Sequence, residues 1–517
     1  MPAPQYIPLE FKPGVWKNGT LYQARGRWFD ADLMRWSVGG LGPIGGWRAW
    51  GESTTAVTGV PRTSLAWMDN SFRRWFAVGT ASKLYVYDSA ASLFDITPDD
   101  FVAGRTDADP NVGYGNSVYG FSSYGNPRPD LGVPVPATIW SLDLWGEDLV
   151  GCTPDDGKIY QWDATSDTTP TDVIAAQVPG SPEYAIANIV TSERIHMVFG
   201  GVPNGGLEAD RDRRRVFWSD SEDNEDWTPT TTNLAGDTTL NTKGDLLGAV
   251  HIRGNILIFT TDDAHTATFV GLPYGYQFDR IGDHCGPVSI NAVAVAGNIA
   301  YWMGRRAQGF FKYDGYISNV PCDVEDFIVT QMNEAQSSKV VAWHNTLFSE
   351  IVWFYPGAGT EVDAYIAYNY EENHWATGTL ARTSVTSRGI FQNPLLFDAD
   401  GNPYEHEVGG TYLDIGEGET ALVPYVESGP IELGDGDRVL SATHLIPDVT
   451  ALGDITTTFY TRLYPTDTDT THGPFPMAAP TSVRFTGRTV RMKCTSNSTA
   501  AWRVGVPRLE MQPGGRR

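Results

Sequence analysis

The feature that most constrains this chain is a unit of about three short strands that recurs every 45 to 60 residues or so. The first copy is written in Thr63 to Trp67, Arg74 to Gly79 and Lys83 to Asp88, separated by tight turns. It returns at Thr138 to Leu142, Glu147 to Gly151 and Gly157 to Asp163. Further copies run over Ile186–Phe199 with Arg215–Ser219, Leu247–Val270, Ser289–Asp314 and Val340–Asn369, and a shorter seventh spans Ser384–Glu407. Each has an apolar strand, a Gly/Asn turn, a second apolar strand and an aromatic-rich strand ending near Asp. One such sheet cannot bury both faces alone, so neighbours must stack, and closing the stack into a ring removes the exposed ends. The expected fold is all-β: a β-propeller of about six or seven blades, some irregular, with a stacked sandwich as the alternative.

Composition agrees, with 17 Trp and 23 Tyr beside 55 Gly and 33 Pro, a mixture of strand and turn formers. At 517 residues the chain can bury roughly 75% of its surface without staples. Cys152, Cys285, Cys322 and Cys494 lie far apart and read as buried apolar residues in a reducing cytoplasm. Nothing resembles a signal peptide, and no run approaches 18 apolar residues, so membrane insertion is not expected. The single persuasive helix follows Asp323, a candidate cap, with Val324, Phe327, Ile328 and Met332 at helical spacing.

Three regions stand outside the repeats, which divides the chain into an N-terminal segment 1–50, a propeller 51–424, an insertion 104–136 within it, and a β-sandwich-like domain 425–517. The insertion carries Tyr114, Tyr119, Phe121 and Tyr124 among glycines, and a loop of this length inside a compact domain is usually functional or mobile. The last domain has alternating strands at 455–463, 481–485 and 489–493.

Charge is 37 basic against 62 acidic residues, a net −25, a surface that repels nucleic acid and anionic membranes. The end of the chain differs: from Arg484 onward there are seven Arg and one Lys against Glu510 alone. Arg484, Arg488, Arg491, Arg503 and Arg508 are therefore candidates for docking to an acidic partner or a second copy. Catalytic signals are poor. Asp398 to Asn402 has its Gly too early for a calcium loop and reads as an Asp-Gly hairpin turn. Trp218 to Trp227 resembles a sialidase-type Asp-box but lacks its Gly and Thr. There is no nucleophile elbow, zinc-protease motif or Walker loop. No enzyme activity, cofactor or metal is expected.

Several segments in series resemble the tail nozzle proteins (tail hub, or packaged-DNA stabilisation, proteins) of short-tailed bacteriophages. They are Phe11–Gly14, Ala24–Asp30, Pro43–Trp47, the Tyr-Gly insertion running into Trp140–Val150, Arg280–Pro287, Tyr301–Met303 with Tyr313–Gly315, Tyr404–Glu407, Trp502–Gly505 and Gly514–Arg517. The resemblance implies a virion protein, assembled in the host cytoplasm, in a homo-oligomeric ring of six copies. Such a ring sits below the portal–adaptor complex, touches the tail adaptor, and anchors fibres or tailspikes. Its channel conducts genomic double-stranded DNA without reading sequence and retains the packaged genome until ejection. In that setting the insertion is a candidate channel tip or closure element, or a rim loop. Residues 1–50 and the C-terminal domain become the platform that meets the adaptor or neighbouring subunits. A propeller glycosidase or carbohydrate-binding tail protein is the alternative function.

Overall fold

In a computed structural model, the described residues are 5–513 apart from 39, 52–55, 110–134, 165–172, 306–307, 414–417, 433–438 and 500. Seven sheets, antiparallel apart from one parallel pair in the seventh, follow one another as blades. The first strands of the blades are Pro61–Met68, Ser141–Trp145, Ala187–Val190, Leu246–Ile252, Val293–Ala296, Val341–Asn345 and Ser384–Thr386. Each of these touches the next, and the seventh returns to the first, so the ring closes. Blades 1 to 6 have four strands each, paired in chain order. The protein is a seven-bladed β-propeller.

The blades form because their middle strands are apolar on both sides. Arg74–Thr80 is buried from its second residue on, and Glu350–Pro356 is buried throughout. Both faces must therefore meet a neighbouring sheet. Aromatic rings fill the gaps: Trp162 meets Trp67 and Trp75 edge-on between blades 1 and 2, and Phe259 meets Trp302 between blades 4 and 5. Trp353 stacks on Trp375 within blade 6, and both lie against Phe310 of blade 5. Each buried ring removes about 150–250 Å² from water, so such wedges dominate blade-to-blade adhesion.

Blade 7 is not built from its own repeat alone. After Ser384–Thr386, Leu395–Phe397 and Pro403–His406, the next strand in the sheet is Trp47–Ala49. It pairs antiparallel with Tyr404–His406 and parallel with Tyr412 and Leu413. The strand that closes the ring thus comes from the far end of the sequence, ahead of the expected boundary at residue 51.

The rest of the N-terminal segment joins the C-terminal sandwich. One sheet runs Gln5–Pro8, Arg508–Pro513, Leu440–Ile446, Thr481–Gly487. The facing sheet begins Lys12–Val15, Arg27–Asp32, Tyr425–Ser428 and continues Thr489–Ser496, Ile455–Arg462, Thr470–Pro476. Strict alternation of buried and open residues along Ile455–Arg462 puts Ile455, Thr457, Phe459 and Thr461 inside, the pattern of a sheet with one wet face. This core continues without a break through Val15, Trp28 and Trp36 into blades 5 and 6.

The expected helix forms at Glu325–Gln331, but Val324 stands at its N-cap and Asp323 does not cap it. The Asp323 carboxylate pairs instead with Arg27 at 2.5 Å, because the strand Arg27–Asp32 brings a guanidinium within reach. Asp398 to Asn402 is a hairpin turn: the Asp398 carboxylate accepts from the Asn402 amide, and Gly401 takes φ 86°. All four cysteines are buried and free.

Candidate functional site

The most elaborate polar assembly lies where the insertion leaves the propeller. Residues on its two sides are zipped together: Asp109 and Val135 exchange backbone hydrogen bonds of 3.1 and 2.9 Å, and the Thr138 amide donates to the Arg105 carbonyl. Arg62, at the start of the first blade, donates two bonds to Glu361 at 2.7 and 2.8 Å and one to the Thr106 carbonyl. The fully buried ammonium of Lys339 meets Asp107 at 2.5 Å and Glu361 at 2.7 Å. Gln336 holds both backbone groups of Ala108.

These partners come from distant parts of the ring. Glu361 and Lys339 belong to blade 6 and its approach, while Asn291, from the turn before blade 5, donates to the Arg62 carbonyl. Thr63 donates to the Trp140 carbonyl ahead of blade 2. Blade 1 borders blades 2 and 7, so contacts from blades 5 and 6 can reach Arg62 only across the propeller axis. The axial opening is therefore spanned by this cluster. Lys339 holds the Asp107 carboxyl below its ordinary range; burial pushes Glu361 up, but Arg62 and Lys339 outweigh it and its carboxyl lies below the usual value. Both acids are engaged by cations, an arrangement that fastens the root of the insertion and not one that shuttles protons.

No sequence pattern marked this cluster. Arg62 begins an apolar strand, and that lone charge was the single available signal. Tyr114, Tyr119, Phe121 and Tyr124, the expected tip or closure residues, lie outside the described residues.

A second buried assembly joins the N-terminal segment to blade 6. Arg35 donates to Glu350 at 2.8 Å and, in a fork, to Glu407 at 2.6 and 3.0 Å, with its guanidinium over the Phe348 ring. Glu407 also accepts from the Gly45 amide and from Asn345. Burial pushes Glu350 up to about 7; it pushes Glu407 up too, but Arg35 and these extra donors outweigh it and hold Glu407 below its ordinary value.

The five candidate docking arginines sit at separate places. Arg491 is paired with Glu427 and Asp469 and half-buried. Arg488 lies over the Tyr464 ring. Arg503 and Arg508 are exposed, the latter beside Pro8 at the end of its strand. Arg484 is exposed on Thr481–Gly487 and lines an open cavity. The Asp-box-like stretch is a turn in which Asp223 accepts from the amides of Glu225 and Asp226, tucking Trp227 against His196. Among the described residues no three His, Cys, Asp or Glu are placed to hold a metal ion, and no helix is long and apolar enough to cross a membrane.

Neither a known protein family nor a curated protein matches the sequence. Among solved structures, the chain is similar to a catalytically inactive virginiamycin B lyase from Staphylococcus aureus with quinupristin. The identity is 8% and the TM-score 0.39, over 68% of this chain and 97% of that one. A quinonprotein alcohol dehydrogenase-like protein from Bacteroides thetaiotaomicron gives 11% and 0.32, covering 67% and 68% of the two chains. An exo-β-1,3-galactanase from Phanerochaete chrysosporium gives 7% and 0.24, covering 73% and 96%. Their names are those of enzymes or enzyme-like proteins, and likeness at this level transfers no activity.

Proposed function

We propose that this chain is a structural virion subunit, one of six copies forming a tail nozzle ring below a portal–adaptor complex. In this reading the ring lines the DNA channel, retains the genome until ejection and anchors fibres or spikes. The observation that carries it is the plaiting of both chain ends into one sandwich that shares a core with the propeller. The segments that resemble the nozzle family's N-terminal stretch are the joining pieces. Phe11–Gly14 runs into the strand Lys12–Val15, Ala24–Asp30 runs into Arg27–Asp32, and Pro43–Trp47 leads to the closing strand.

Because the propeller axis is spanned by Arg62, Glu361, Lys339 and Asp107, a duplex cannot thread a single subunit. The channel of the proposed ring therefore runs between copies. Its walls come from a chain of net charge −25, and DNA carries one negative charge per roughly 1.7 Å of axis. Repulsion acting within about 8 Å at physiological salt leaves the duplex nothing to adhere to, so it can slide. Reconstruction of the intact particle tests the proposal. Six copies below the portal are expected; absence of the chain from purified virions, or a position away from the portal axis, would refute it. Turnover of host polysaccharide by the purified chain would favour the glycosidase alternative instead.

A further inference from the structure

The sandwich domain has a cavity of about 660 Å³, open to solvent and lined by strands of both its sheets, within the size range of roughly 300–1,000 Å³ typical of ligand sites. Its lining joins the ends of Leu440–Ile446, Ile455–Arg462, Thr470–Pro476 and Thr481–Gly487 with the loop between the second and third. Three charged side chains line it, Arg462, Arg484 and Asp467, and no ion pair joins Arg484 to Asp467. Among the described residues Arg484 has no hydrogen-bond or ionic partner. Asp467 uses one carboxylate oxygen to accept the Tyr464 amide at 2.8 Å, while its own amide donates to the Tyr464 carbonyl. That turn fixes the carboxyl in the lining and leaves its other oxygen without a hydrogen-bond partner among the described residues. The remaining arginine of the lining, Arg462, is committed: it donates a fork to Asp469 at 2.6 and 2.9 Å.

The lining is rich in hydroxyls, from Ser441, Thr443, Thr461, Thr468, Thr470 and Thr486. A hydroxyl both donates and accepts, a guanidinium only donates and a carboxylate only accepts. An anion alone would satisfy Arg484 and be repelled by Asp467; a cation would do the reverse. A molecule carrying many hydroxyls satisfies both at once and exchanges hydrogen bonds with the wall. The exposed Leu463 and the His472 imidazole, which is stacked on the buried Phe485 at 5.2 Å, offer C–H and ring faces of the kind a sugar ring packs against. We propose that this cavity binds a neutral oligosaccharide of a few rings, held between Arg484 and Asp467. The site is in the sandwich alone and does not rest on the nozzle reading.

Saturation-transfer NMR on the full chain with cellotriose, xylotriose, maltotriose, mannotriose, chitotriose and trigalacturonate tests it. At least one of the neutral five should show transfer, more strongly than trigalacturonate. For that sugar, titration should show Arg484→Ala and Asp467→Asn each weakening binding about tenfold or more, the loss expected for a hydrogen bond to a charged group. Both positions are exposed, so an unchanged melting profile separates lost binding from lost fold. Arg508→Ala, exposed and outside the cavity, should bind as the parent chain does. Transfer from none of the six, preference for trigalacturonate, or equal binding by both variants and the parent would overturn the proposal.

Discussion

Arg35 shows how one side chain can decide whether the N-terminal segment stays docked. Its guanidinium is 7% exposed and faces two carboxylates that are equally hidden. Taking three charges out of water is costly, and only the fork to Glu407, the bond to Glu350 and the extra donors from Gly45 and Asn345 offset it. Arg35→Met removes the cation and leaves two uncompensated acids, so it should lower unfolding free energy by roughly 3–5 kcal/mol in urea titration. Glu350 itself pulls the other way. Its carboxyl is raised in the folded state from 4.5 to about 7, so the folded chain binds the proton more tightly than the unfolded chain. A group raised in this manner subtracts stability as pH climbs through that interval. Replacing it by the neutral isostere in Glu350→Gln should therefore cost more near pH 4.5 than near pH 7. Urea midpoints for parent and variant across that window check the sign; a gap that widens with rising pH would mean Glu350 is held ionised.

Among the elements, the closing strand Trp47–Ala49 carries more than its three residues suggest. Trp47 is stacked between His406 at 5.4 Å and Tyr412 at 5.3 Å, with the Arg382 guanidinium over its ring. Gly46 lies so close to the Thr411 backbone that no side chain fits there. Trp47→Ala should cost about 3–5 kcal/mol, as large aromatic truncations in cores do, and should loosen blade 7 ahead of the other blades. Hydrogen exchange at 395–397 and 403–406 should rise first; uniform exchange across all seven blades would show that the strand is not the seam. The root of the insertion is the second element to test. Asp107 and Glu361 are depressed below their unfolded values, so their contribution is present above the ordinary carboxylate range and is lost as pH falls through the lowered values. Lys339→Met removes the ammonium both acids share. Limited proteolysis should then cut near 105–109 faster, most of all on acidification, while a pattern identical to the parent chain would show the root is held by Gln336 and the backbone zipper alone.

For the whole molecule, the ring was readable because every blade carries its own aromatics and turns, so the pattern survives seven repetitions. What closes the ring was not, since Trp47 and His406 meet across more than three hundred residues and a three-residue strand has no period of its own. The axial cluster was invisible for a related reason: Arg62, Asp107, Lys339 and Glu361 are single charges on four segments, and spacing along the chain says nothing about which of them reach the axis. The basic C-terminal end was plain in composition, yet the partners of each arginine were not. Arg491 is neutralised by Glu427, over sixty residues earlier, while Arg484, exposed on its strand beside a cavity, has no ionic partner among the described residues. Self-association is where the overall charge has to matter. Copies of net charge −25 repel one another, and the reach of that repulsion grows from about 8 Å at physiological salt to about 30 Å at 0.01 M. If the chain forms a ring through contacts between acidic bodies, association measured by sedimentation should weaken as salt is lowered and recover when it is restored. Association that strengthens at low salt would instead mean that opposite charges dominate the contact, and the exposed arginines at 484, 503 and 508 would be the first to reverse to Glu.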